Sequence, residues 1–66
     1  MKLNAPRLTL IKTRKSLGMT QEDLASKVKI SRAYLANIEG GKYTPSLEVA
    51  KKISHILNRS IDELFL

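Results

Sequence analysis

The chain has no cysteine, no tryptophan and a single histidine, His55, and its only aromatic side chains are Tyr34, Tyr43 and Phe65. Without cysteine there are no disulfide staples and no thiolate metal sites. One histidine is too few for an imidazole-built zinc centre, so no metal and no other cofactor is expected. A nucleophile, a paired histidine and acid, and a phosphate-cradling glycine loop are all missing, so no catalytic residue is assigned and an enzyme is not expected. No apolar run reaches the roughly 18 residues of a membrane span. Met1 to Ala5 lacks the apolar core of a signal peptide, and a cytoplasmic protein without a membrane partner is expected. Long alternating β-branched runs are also absent, as are Pro-rich, Gly-Ser-rich and repeated segments. With 66 residues there is room for one domain, taken as 1–66, held by economical helix packing.

What is present reads as five short helices in a compact all-α arrangement. The first is expected from about Pro6 to Leu17, with Pro6 where a missing N–H costs nothing and Gly18 as a left-handed stop. Leu10, Arg14 and Leu17, with Thr13 beside them, share one face of it. Thr20 and Asp23 form a capping box for the second helix, whose inward residues are Leu24 and Val28, with small Ala25 permitting a close crossing. Val28-Lys29-Ile30 then leads to Ser31, the cap of the third helix, which ends in Glu39-Gly40-Gly41, where either glycine can supply a positive φ. Ser46 caps the fourth helix, carrying Leu47, Ala50, Ile53, Ile56 and Leu57 and stopped by Asn58. Ser60 and Glu63 cap a final short helix with Ile61, Leu64 and Phe65. Connections of a few residues fit a bundle.

The net charge is +6, and its distribution matters more than its size. Residues 1–45 hold nine Lys or Arg against three acids, whereas residues 46–66 balance at three against three. An excess confined to the first two-thirds suits a face committed to a polyanion.

From Gln21 onward the apolar residues keep a diagnostic spacing. Leu24, Val28, Ile30, Leu35 and Ile38 fall at the fourth, eighth, tenth, fifteenth and eighteenth places, and Ala25 at the fifth. Those positions set the crossing of two short helices, a motif of about residues 20–39, and push the second of them outward. In "MTQEDLA", "ISRAYLANIEGGK", "PSLEVAKKI" and "SIDELF" the chain resembles the lambda-repressor-like, Cro/cI-type helix-turn-helix regulators, the XRE family. The resemblance spans roughly Leu10 to Phe65. It implies a five-helix domain that binds double-stranded DNA sequence-specifically, usually as a dimer on a pseudo-palindrome, and regulates transcription.

Carried over by position, the resemblance implies that Ser31, Arg32, Ala33 and Asn37 face base edges. Gln21 would touch a phosphate at the start of its helix, Tyr34 could reach one from the flank, and the Gly41-Lys42-Tyr43-Thr44 loop would grip the backbone. Arg14 and Glu39 match a structural ion pair. The chemistry of the residues agrees: Arg32 can take guanine O6 and N7, Asn37 can take adenine N6 and N7, and Ala33 or Ala36 can meet a thymine methyl. Lys12, Lys15, Lys27, Lys29 and Lys42 would add sequence-blind, salt-sensitive affinity. Plainer readings stand beside these. Tyr34 can equally pack along Ile30 and Ile38, Gln21 can serve only its own helix, and Phe65 can simply close the core.

Two positions depart from the family pattern, Lys29 where its turn usually has Gly, and Thr13 where its first helix usually has Leu or Ile. A left-handed Lys29 costs about 1 kcal/mol and projects its ammonium from the turn, towards bound DNA in this reading. The expected function is a transcription regulator, a repressor by occlusion, working as a homodimer through Ile61, Phe65 and Leu66 with half-sites about 34 Å apart. No small-molecule ligand is expected. The competing reading is a protein-binding adaptor or antitoxin-like partner that reuses the same fold.

Overall fold

A computed structural model describes residues 5–66. Five helices follow in order: α1 (Leu8–Ser16), α2 (Gln21–Val28), α3 (Arg32–Glu39), α4 (Leu47–Leu57) and α5 (Ile61–Phe65). Among the described residues the architecture is all-helical with five helices, as the sequence led one to expect.

Local chemistry accounts for most boundaries. The Thr20 hydroxyl accepts from the Asp23 N–H at 3.0 Å, and the Asp23 carboxylate accepts from the Thr20 N–H at 2.9 Å. Ser60 and Glu63 repeat this box at α5 with 3.1 and 3.0 Å bonds. Ser31 and Ser46 cap α3 and α4 through the N–H groups of Tyr34 and Val49. Each cap satisfies a helix-start donor that would otherwise face only water. At the other ends, Gly18 (φ 74°) turns the chain after α1, and Asn58 (φ 55°) ends α4. The ambiguity after α3 resolves in favour of Gly41. Gly40 stays right-handed at φ −76°, while Gly41 takes φ 82°. A Cβ on Gly41 would also overlap the carbonyl oxygen of Ala5, so glycine is required there twice over.

Some details differ from the sequence reading. α1 starts at Leu8, not Pro6, because the Arg7 N–H donates to the Glu39 carbonyl at 2.8 Å and so holds Arg7 outside the helix. Leu17 is the C-cap of α1 and is 52 % exposed, since the chain turns away there. Val28 is the last residue of α2 instead of part of the turn. Leu47, in the first turn of α4, faces outward.

The core is formed by Leu10, Leu24, Ala25, Val28, Leu35, Ile38, Ile53, Leu57 and Leu64. α2 packs on both α3 and α4, α5 closes against α1 and α4, and α1 reaches α3. Small Ala25, 2 % exposed, sits in the α2 face that this packing covers. Thr13 is buried in α1 where a larger aliphatic side chain would have filled more space. No described helix is long and apolar enough to cross a membrane.

Lys29 is left-handed, at φ 62° and ψ 45°, and its side chain is exposed. A non-glycine residue in that region carries about 1 kcal/mol of strain. Lys29→Gly should therefore raise the thermal midpoint by a few degrees, at about 4–8 °C per kcal/mol for a domain of this size. Differential scanning calorimetry that finds an equal or lower midpoint would remove the strain from the account. The carboxylates of Asp23 and Glu63 are held below their ordinary pKa, chiefly by the backbone N–H groups of Thr20 and Ser60 and then by their hydroxyls. That stabilisation is present above the unfolded-state pKa and is lost as pH falls through the lower folded value. Acidification below the ordinary Asp23 value of 3.8 should thus lower the thermal midpoint less steeply in Asp23→Asn than in the unsubstituted chain.

Candidate nucleic-acid interface

α3 presents two unlike sides. Leu35, Ile38 and Glu39 are buried, while Arg32 and Ala33 are exposed and Ala36 and Asn37 are half-buried. At about 100° per residue, Arg32, Ala36, Ala33 and Asn37 lie in that order around one outward strip. Ser31 stands exposed at the helix start. Its hydroxyl oxygen accepts from the Tyr34 N–H, which leaves the O–H free to donate. Three of the four residues expected to read bases thus lie on the strip itself, and Ser31 adjoins it.

The strip rests on a buried ion pair. Arg14 donates from Nε to Glu39 Oε2 at 2.6 Å and from Nη2 to Oε1 at 3.1 Å, a fork that ties α1 to the end of α3. Its third nitrogen donates to the Met19 carbonyl at 2.7 Å, so the fork also fixes the α1–α2 connection. The side chains are 7 % and 3 % exposed, so both charges have lost most of their hydration and depend on each other. Glu39 has one further partner. Gln21 donates its amide to Glu39 Oε1 at 3.0 Å, and its carbonyl oxygen accepts from Arg32 Nη1 at 3.3 Å. A chain of polar contacts therefore runs from the core, through the first residue of α2, to the first residue of α3.

The remaining expected contacts surround this strip. Tyr34 is half-buried against the core, and its ring centroid lies 6.2 Å from that of Tyr43. The Lys42 ammonium sits 5.8 Å from the Tyr43 ring. Gly41 is half-buried, whereas Lys42, Tyr43 and Thr44 are exposed beside the end of α3. The loop is anchored by the Asn37 carbonyl, which accepts from the Lys42 N–H at 2.9 Å and the Tyr43 N–H at 3.3 Å. Lys29 is placed apart from this group, in the α2–α3 turn beside Lys27, Lys51 and Lys52.

One organising residue was missed by sequence reasoning. Arg7 donates to the carbonyls of Ile38 (2.7 Å) and Tyr43 (3.0 Å), and its guanidinium lies 5.5 Å from the Phe65 ring. It therefore ties the end of α3 to the following loop and to α5. Arg7 thus joins Arg14, whose pairing with Glu39 the sequence led one to expect, among the cations engaged internally.

A helix-turn-helix family model matches residues 10–64, a span that runs from within α1 into α5. The chain belongs to the helix-turn-helix family. It is 47 % identical over 53 residues to an uncharacterized HTH-type transcriptional regulator of Archaeoglobus fulgidus, covering 80 % of this chain and 76 % of that one. The restriction-modification controller protein C.AhdI from Aeromonas hydrophila superposes with a TM-score of 0.77 at 32 % identity, with 86 % of each chain covered. C.Esp1396I, solved bound to a 25 base pair operator site, superposes with a TM-score of 0.71 at 32 % identity, covering 89 % of this chain and 78 % of that one. This helix-turn-helix protein is thus a DNA-binding transcription regulator of the lambda-repressor-like, Cro/cI (XRE) type.

The ion pair generates a direct test. Arg14→Met should cost about 3–5 kcal/mol, because it leaves Glu39 charged and buried and the Met19 carbonyl without its guanidinium donor. The double variant Arg14→Met/Glu39→Leu should recover much of that loss, since both charges leave together. Urea titration in which the double variant is no better than Arg14→Met would contradict the reading of the pair as mutually dependent.

Proposed function

We propose that this protein is a sequence-specific repressor that places α3 in the major groove of an operator as a homodimer. The observation that carries this reading is the outward strip of α3, where Arg32, Ala33 and Asn37 offer a guanidinium fork, a methyl and an amide. These match the edges of guanine, thymine and adenine respectively. Arg32 approaches the groove already hydrogen-bonded to Gln21, so less of its side-chain freedom is lost on binding. Ser31 has a hydroxyl proton to offer at the same helix start.

Phosphate contacts would fall to groups flanking the strip. Gln21 keeps one amide proton after bonding Glu39, and it lies at the start of α2, where partial positive charge favours an anion. Lys42, Tyr43 and Thr44, positioned by Gly41, would hold one strand, with Tyr34 beside them. Lys29 would approach the backbone from the turn. These contacts supply position and affinity without reading sequence.

A dimer follows from selectivity, since one short helix reads too few base pairs. Its interface would form around Ile61, Phe65 and Leu66. Leu8 (57 % exposed) and Leu66 (95 % exposed) line the same cleft as Phe65, which supports that choice. Sedimentation at micromolar concentration should show dimers that Leu66→Glu weakens, and monomers alone with and without operator would overturn the interface. A body of 34 × 22 × 22 Å seated on a promoter blocks polymerase from the same stretch, which makes occlusion the simplest mode of regulation.

Selection from random duplexes tests the reading face. Arg32→Ala and Asn37→Ala should each relax preference at one base position and weaken the selected site by about 1–3 kcal/mol. Affinity for that site should also fall steeply with salt. Unchanged preference in both variants, or a flat salt response, would overturn the assignment.

A further inference from the structure

A second basic surface lies away from the α3 strip. Lys27 and Lys29, at the end of α2, stand across a groove from Lys51, Lys52, His55 and Ile56 on α4. The groove is about 470 Å³, large enough for a bulky side chain with its flanking backbone. Four lysines line it, and none of its lining residues is acidic. Acids stand only nearby. Glu48 reaches Lys52 at 4.0 Å from an exposed position, and Asp23 lies one turn before Lys27 on α2. Exposed pairs of this kind contribute little, so the groove keeps a net positive field. Its floor is apolar, formed by Ile56 and the methylene stems of the lysines.

We propose that this groove docks an acidic segment of a protein partner, one bearing a large apolar side chain between carboxylates. Charge complementarity selects the partner's sign, because four lysines border a groove whose lining holds no acid and whose two nearby carboxylates are exposed. The apolar floor selects peptide over bare polyanion. A phosphate backbone would satisfy the lysines but leave Ile56 wet, whereas an acidic peptide can neutralise the rim and cover the floor together. Arg32, Ala33 and Asn37 do not line this groove, and of its four lysines only Lys29 is also placed beside DNA above, so Lys27, Lys51 and Lys52 stay available to a partner while the α3 strip is occupied. The surface would let a DNA-bound protein hold a second macromolecule, and it does not depend on which bases α3 reads.

The test uses the full chain labelled with nitrogen-15 and a synthetic peptide, acetyl-Glu-Asp-Leu-Phe-Asp-Glu-amide. Titration should give saturable shifts at Lys27, Lys51, Lys52, His55 and Ile56, with the Arg32–Asn37 amides unmoved. Lys51→Gln/Lys52→Gln should weaken the peptide about fivefold while leaving duplex affinity and the thermal midpoint within error. Replacing the peptide's Leu-Phe with Ser-Ser should weaken it at least as much. Three results would overturn the proposal. One is the absence of saturable shifts, and another is a Ser-Ser peptide that binds equally well. The third is loss of duplex affinity in the double variant with duplex and peptide excluding each other, which would make the groove part of the DNA footprint.

Discussion

The Arg14–Glu39 ion pair is the contact on which the rest of the arrangement depends. It joins the last turn of α1 to the last residue of α3 beside the apolar core. A Leu at either place would add burial without direction. The fork constrains the angle of α3 through two bonds at once and fixes the α1–α2 connection through Met19. The same carboxylate then holds Gln21, and Gln21 holds Arg32. A polar contact within the core thus also holds the exposed Arg32 guanidinium in place. Arg7, just before α1, adds to the clamp by donating to the Ile38 and Tyr43 carbonyls, which ties the end of α3 to its loop.

Much of this was legible because helix caps are local. Thr20, Ser31, Ser46 and Ser60 each find a partner three residues away, and Gly18 and Asn58 take the left-handed turns their chemistry suits. The outward strip could be read from helical spacing alone, since burial of Leu35 and Ile38 leaves Arg32, Ala33 and Asn37 on the other side. The role of Arg7 was not legible, because its carbonyl partners lie 31 and 36 residues along the chain. The outward turns of Leu17 and Leu47 were likewise decided by where the chain bends at helix ends, and apolar periodicity does not report that. Nor could spacing show that Gln21 bonds both Glu39 and Arg32, which requires the angle between α2 and α3.

Charge shows the same division between chain order and space. Counted along the sequence, the positive excess belongs to residues 1–45, and residues 46–66 are neutral. Folding withdraws Arg7 and Arg14 into internal contacts. It also brings Lys51 and Lys52 of the neutral part against Lys27 and Lys29. The outcome is two cationic regions, one beside α3 and one between α2 and α4, where the linear count suggested one. A DNA-binding protein with a second, apolar-floored basic surface can occupy its site and still present a face to another molecule.

The core's ion pair, acting through Gln21, holds the Arg32 guanidinium at the start of α3, and in the proposed complex this sets its approach to the operator. A double-mutant cycle in operator affinity, using Gln21→Ala, Arg32→Ala and both together on the duplex selected by the native protein, tests it most directly. A coupling of at least about 0.5 kcal/mol between the two side chains is expected, the double variant losing less than the sum of the two single losses. Losses that add to within about 0.3 kcal/mol would show that Arg32 reads its base without help from the network beneath it.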